Sequence, residues 1–135
     1  MQRKQGFSMI ELLIVIVILG ILAAVVVPSF LNVKTKGFDS AAKADLRNMI
    51  ASQENYFSEQ QAYTDVTISA GGGGDLNGDG TEDFRASQGV SLGATAYTDG
   101  FQITATHFGS PNIWCVNSSS GASGAAGSIR KATSC

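Results

Sequence analysis

The feature that most constrains this chain is a run of 22 residues, Leu12 to Val33, without a charged side chain. Most of them are Leu, Ile, Val or Ala. As an α-helix such a run rises about 33 Å, enough to cross a hydrocarbon core of about 30 Å. A cleaved secretory signal has an apolar stretch of only about 7–15 residues and small residues at its cleavage site. This run is longer, and Pro28-Ser29-Phe30 does not supply such a site. Arg3 and Lys4 precede it, which predicts an N-terminus kept in the cytoplasm and the remainder exported.

The chain beyond the run is rich in Gly, Ser, Thr and Asn and amounts to a domain of about 100 residues or fewer, a size at which a single core is marginal and often needs a staple. Two cysteines are present, Cys115 and Cys135. In an exported chain an even count favours one disulfide over two free thiols. The formal net charge of −2 and the absence of a basic stripe with interleaved aromatics predict no specific nucleic-acid partner. His107 is the only histidine, so neither a histidine zinc site nor a triad can be assembled, and it reads as a strand surface residue. The serines have no convincing base partner. No catalytic residues are assigned, and the chain reads as a non-enzyme.

Glu11 stands at the edge of the apolar run. A carboxylate in such a helix costs about 2.5–3.5 kcal/mol at the bilayer centre and less near its surface, so it calls for a cationic partner. The segment Gly6-Phe7-Ser8-Met9-Ile10-Glu11-Leu12-Leu13 resembles the processing site and mature N-terminus of type IV pilins and of the related type II secretion pseudopilins. The short basic leader ending in Gly, the Phe, and the Glu four positions later carry the resemblance, and they look like the type IVa branch. It implies cleavage by a prepilin peptidase between Gly6 and Phe7 and N-methylation of Phe7. It also implies that Glu11 faces the Phe7 amine of a neighbouring subunit during assembly, an ammonium and a carboxylate neutralising each other in an apolar setting. Pro28 removes a helix hydrogen bond. The residues alone allow a kinked but continuous helix, whereas the resemblance implies that Gly20 to Pro28 loses helix inside a filament.

After Lys34 the pattern becomes amphipathic. Ala42, Leu46, Met49, Ile50, Gln53, Phe57 and Gln60 follow helical spacing, with Asp39, Lys43, Asp45, Arg47, Glu54 and Glu59 mostly elsewhere. One helix from about Phe7 to Gln61 is expected. Tyr56, Phe57 and Tyr63 read as aromatics that anchor its end to a sheet. Short strand-like runs lie at Val90–Leu92, Ala94–Thr98, Phe101–Thr106 and Ile113–Val116, with Asp99-Gly100 as a hairpin turn and Gly71–Gly74 as a flexible turn. Trp114 is expected to pack against the cysteine bridge, and Ser118–Ser128 to be a loop. The fold class is α+β, pilin-like: a long N-terminal helix, apolar in front and amphipathic behind, on an antiparallel sheet of three to four strands. The organisation is a leader at 1–6, a membrane or filament-core helix at 7–33, its amphipathic rear at 34–63 and a head at 64–135.

One further motif stands out. Asp75-Leu76-Asn77-Gly78-Asp79-Gly80-Thr81-Glu82-Asp83 matches the start of a calcium loop, with alternating oxygen ligands and a glycine at the sharp turn. Asp75, Asn77, Asp79, Thr81 and Asp83 are the candidate ligands. The twelfth position is Ala86, so the usual closing Glu is missing; an acidic solvated turn is the competing reading. No cofactor is required beyond this candidate structural Ca2+. Asn117-Ser118-Ser119 fits a glycosylation triplet, a pattern common by chance.

The resemblance implies a structural subunit of a type IV pilus, made as a single-pass protein of a bacterial inner membrane and then polymerised into an extracellular filament. Its partners would be copies of itself, the prepilin peptidase, the inner-membrane assembly platform and, before assembly, the membrane. A pseudopilin or minor pilin of a secretion or DNA-uptake system is the alternative, and a membrane-tethered binding or enzymatic domain is the third reading.

Overall fold

The computed structural model describes residues 6–121, 127–133 and 135. The basic leader residues Arg3 and Lys4 and part of the Ser118–Ser128 loop lie outside them. The chain divides into two compact units, Met1–Lys34 and Thr35–Cys135.

A single helix, α1, runs Met9–Gln60 and passes through both Gly20 and Pro28 without interruption. Ser8 precedes it, and Oε2 of Glu11 accepts the Ser8 N–H at 2.9 Å. This is half of a Ser-x-x-Glu capping box, which satisfies one backbone donor at the helix entry. α1 ends at Gln61, whose backbone takes φ 55°; its N–H donates to the Phe57 carbonyl at 2.8 Å. A left-handed residue closing the last turn is a common helix stop, although Gly or Asn usually fills it. In the first unit every large apolar side chain from Phe7 to Val33 is exposed.

Among the described residues of the second unit the strands are β1 (Val66–Ile68), β2 (Gly73–Gly74), β3 (Phe84–Arg85), β4 (Val90–Tyr97), β5 (Gly100–His107), β6 (Ile113–Asn117) and β7 (Arg130–Ala132). β1-β4-β5-β6-β7 form one antiparallel sheet, and β2-β3 form a small ladder of their own. The fold class is the α+β arrangement expected, but the main sheet has five strands rather than three or four. The two additional strands are the edges, each only three residues long, and too short to show a periodicity. Val90–Leu92 and Ala94–Tyr97 belong to one continuous strand, because Gly93 pairs with Thr104 instead of breaking the ladder, and Thr98 falls outside it. Gly73–Gly74 is a strand rather than a flexible turn. A Cβ on Gly74 would lie 2.5 Å from the Ile68 side chain, so glycine is what lets β2 approach β1. The hairpin turn is Thr98-Asp99, one residue earlier than expected. Gly100 already pairs with Tyr97, and a Cβ there would meet the Ser118–Ser119 backbone at 2.8 Å.

Leu46 and Met49 of α1 are fully buried against Ile68, Val90, Ile103 and Ala105. Phe57 stacks on Tyr63 at 4.7 Å, and Tyr63 meets Phe101 edge-on at 5.1 Å, so these aromatics tie the helix end to β5 as expected. Burial and the neighbouring Glu54 carboxylate raise the Tyr63 phenol. Cys115 and Cys135 are bridged, with Cα atoms 6.0 Å apart. Trp114 does not pack against that bridge. Adjacent strand residues face opposite sides, and Trp114 pairs with Ala105 on the core side, where Lys43 Nζ lies 4.4 Å over its ring. Asn117 is fully buried, so the glycosylation triplet cannot carry a glycan in this fold.

Candidate functional site

The residues that bear on function fall at three places. The first is the helix entry. Gly6, Phe7, Ser8 and Glu11 are all exposed, as a processing site must be. The Glu11 carboxylate holds the Ser8 N–H of its own chain. Cleavage after Gly6 would leave Ser8 as an internal residue with its amide N–H intact, so this cap is available to precursor and mature chain alike. Gly20 and Pro28 sit in unbroken helix, and a Cβ on Gly20 would meet nothing within 4 Å. The stretch of α1 that is long and apolar enough to cross a membrane has none of its residues buried.

The second place is the Asp75–Asp83 loop, which β2 and β3 bracket. Its oxygens are engaged with its own backbone. Asp75 accepts the N–H groups of Gly78 at 2.7 Å and Gly80 at 2.8 Å, Asn77 accepts that of Asp79 at 3.0 Å, and Asp83 accepts that of Leu76 at 2.8 Å. Asp79 takes both the hydroxyl and the N–H of Thr81, and these bonds, with that from Asn77, lower its pKa against the opposing effect of desolvation. Gly78 and Gly80 adopt φ 74° and 86°, which the sharp turn requires. Among the described residues no three His, Cys, Asp or Glu side chains stand close enough to hold a metal ion. As placed, then, the loop is a set of Asx turns rather than a closed calcium cage. The Asp75 oxygens each accept one of these bonds, and a carboxylate oxygen so engaged retains a second lone pair. Buried Leu76 and Phe84 fix the two ends of the loop to the core.

The third place was not legible as a site. Asp39 and Asp45 are buried on the core face of α1, two exceptions to the expectation that the charges lie mostly elsewhere. Asp39 accepts the Ser110 hydroxyl and the Asn112 amide, both at 2.6 Å, and Asp45 accepts the Ser87 N–H at 2.6 Å and its hydroxyl at 2.9 Å. Burial alone would raise the Asp39 carboxyl. The Ser110 and Asn112 bonds, the Trp114 indole dipole and the Lys43 charge outweigh it, so the carboxyl sits below its ordinary value of 3.8. The Trp114 N–H completes no hydrogen bond and acts only at longer range. Gln53 makes a third latch, its amide bonding both the N–H and the carbonyl of Thr64. Spacing held the signal: 39, 42, 46, 49 and 53 form one helical stripe, with Asp39 three residues before Ala42. His107 is buried as well rather than a surface residue, because Phe38 and Phe108 stack on it at 4.2 and 4.9 Å.

Comparison with known proteins places the helix entry in context. The family model for the prokaryotic N-terminal methylation motif matches residues 1–27. The chain is 39% identical over 69 residues to the type IV major pilin protein PilA of Myxococcus xanthus, which is 51% of this chain and 31% of PilA. It is 41% identical over 64 residues to the type IV wide pilus major component PilA4 of Thermus thermophilus, 47% of this chain and 49% of that protein. It is 42% identical over 65 residues to the type II secretion system core protein G of Pseudomonas aeruginosa, 47% of this chain and 46% of that protein. The match therefore spans less than half the length of each of these relatives. Over about half of its length the chain is thus similar to type IV pilus major components and to a type II secretion core protein G, and its first 27 residues match the N-terminal methylation motif.

Proposed function

We propose that this chain is a structural subunit of a type IV pilus. It would be held in the inner membrane by residues 7–33, matured by a prepilin peptidase at Gly6–Phe7 and polymerised through the same helix on an assembly platform. The observation that carries the reading is the exposed apolar surface of Phe7–Val33, most of which lies within the residues, 1–27, that match the N-terminal methylation motif. Burying a Leu, Ile or Val side chain is worth roughly 1.5–3 kcal/mol. A helix with this many exposed has two stable settings: lipid, or a bundle of its own copies. In this reading Glu11 meets the Phe7 amine of the neighbouring subunit, and the Gly20–Pro28 segment is where the helix loosens in the filament. For the Asp75–Asp83 loop we propose a weak accessory calcium site at Asp75, Asn77, Asp79, Thr81 and Asp83, whose oxygens would offer the ion the lone pairs that their hydrogen bonds leave free.

The alternative, a pseudopilin of a type II secretion system, is favoured by the core protein G relatives. Filaments sheared from native cells separate the two. Mass spectrometry of an abundant sheared subunit beginning at N-methylated Phe7 supports the pilin. The same mature chain confined to membranes supports the pseudopilin. An uncleaved chain, or normal maturation of Gly6→Val, refutes the assigned processing site.

A further inference from the structure

Asn77-Gly78 is the one place in the chain where an asparagine precedes a glycine. Both residues are exposed and lie outside every helix and strand. Gly78 takes φ 74°, and a Cβ there would meet nothing within 4 Å, so neither a side chain nor a neighbour crowds its nitrogen. That nitrogen follows a carboxamide it can attack. The hydrogen bonds that fold the loop also arrange the groups such a reaction uses. The Gly78 N–H donates to Asp75 Oδ1 at 2.7 Å, within the reach of a general base. Asn77 Oδ1 accepts the Asp79 N–H at 3.0 Å, the placing of a donor that stabilises an oxyanion. The Asn77 amide nitrogen donates to Asp79 Oδ2 at 3.1 Å, which holds the carboxamide in that orientation.

We propose that Asn77 is a self-modification site, at which the loop deamidates its own carboxamide through the Gly78 nitrogen. The Gly78 N–H proton passes to Asp75 Oδ1 as the nitrogen attacks Asn77 Cγ. The new N–Cγ bond closes a succinimide ring, and negative charge collects on Oδ1, facing the Asp79 N–H. The Cγ–Nδ2 bond then breaks, and the amide nitrogen leaves as ammonia with the proton that Asp75 had taken. Water opens the succinimide at either carbonyl. Cleavage of the N–Cγ bond leaves an aspartyl residue at position 77, and cleavage of the original peptide bond leaves an isoaspartyl linkage. Water is the sole co-reactant, and nothing is oxidised or reduced. Holding nucleophile, base and carbonyl in one turn lowers the entropic part of the barrier. Each event adds a negative charge to the loop, so heads of different age differ in charge at this position. The inference concerns residues 75–79 alone and stands whether or not the chain forms filaments or the loop takes up calcium.

The full chain, solubilised in detergent, is incubated at neutral pH and digested at intervals. Peptide mass spectrometry reads the conversion of each asparagine, with Asn48 and Asn55, exposed on α1, as internal references. An isoaspartyl methyltransferase reads the linkage formed. Asn77 is expected to convert about tenfold faster in the folded chain than in the same chain unfolded in guanidinium chloride. Asp75→Asn can still accept the Gly78 N–H but cannot take its proton, and it is expected to remove most of that advantage. Conversion of Asn77 no faster in the folded chain than in the unfolded one overturns the proposal. So does a rate that Asp75→Asn leaves unchanged, or one that Asn48 and Asn55 match. If Asp75→Asn loses the near-UV signal of Trp114 and so does not fold, the comparison of folded with unfolded wild-type chain decides alone.

Discussion

Replacing Asp39 with alanine tests whether a buried charge, rather than apolar contact alone, fixes the β5–β6 loop to α1. The carboxylate is 8% exposed and accepts two bonds of 2.6 Å, from Ser110 and Asn112. Hydrogen bonds to a charged group contribute about 1.5–3 kcal/mol each. Both donors are half-buried and regain some water when the acceptor is lost, so Asp39→Ala is expected to cost about 2–4 kcal/mol. For a domain of this size that corresponds to a fall in Tm of roughly 10–25 °C. The sign of the pH dependence follows from the lowered pKa. A carboxyl depressed on folding contributes stability above its unfolded value, near 3.8, and loses it as pH falls through the folded value. The gap between wild type and Asp39→Ala should therefore be full at pH 7 and begin to close below about pH 4. Near-UV circular dichroism melts of the detergent-solubilised chain, with Trp114 as reporter, measure it. A loss under about 3 °C at pH 7, or a gap that is unchanged down to about pH 2, would refute the argument.

Other outcomes are expected at single positions. Gln61→Gly should raise stability by about 0.5–1 kcal/mol by relieving a left-handed residue, read as a higher denaturant midpoint; a lower midpoint would show that the Gln61 side-chain bonds outweigh backbone strain. Cys135→Ser opens a bridge of sequence separation 20 and should cost about 3 kcal/mol, seen as a Tm drop that reducing agent reproduces in the native chain but not in the variant. Calcium at about 10 mM should add about 1–2 kcal/mol if the loop binds with Kd near 10⁻³ M; superimposable melts with and without calcium would assign the loop to its own hydrogen bonds.

The sequence declared those elements that have a period or an unusual contiguous run. The uncharged segment, the helix that continues it and the central strands β4 to β6 all satisfied that condition. The edge strands did not, since Val66–Ile68 and Arg130–Ala132 are paired only because neighbours distant in the chain present open ladders. Asp39, Asp45 and His107 were misplaced for a related reason. A charged or polar side chain reads as solvent-facing until its partner is known, and the partners here are 42 to 73 residues away or, for His107, in a ring stack with Phe38. The cysteine bridge was legible from count and compartment, whereas the side of the sheet on which Trp114 lies needed the register.

Glu11 shows how a residue singled out by resemblance can carry a second role that confounds its usual test. Its carboxylate closes a capping contact to Ser8 within one chain, and assembly is proposed to use the same group against a neighbour. Glu11→Ala removes both, so a loss of filaments would not say which mattered. Glutamine at this position of a capping box can still accept the backbone N–H, but it carries no charge. Glu11→Gln should therefore retain the helix entry, read as unchanged amide-exchange protection over the first turn in micelles, while failing to pair with the Phe7 ammonium. Filament yield under Glu11→Gln is expected to fall as far as under Glu11→Ala. Normal yield with glutamine and poor yield with alanine would place the function of Glu11 in its own helix and remove the intersubunit ion pair from the mechanism.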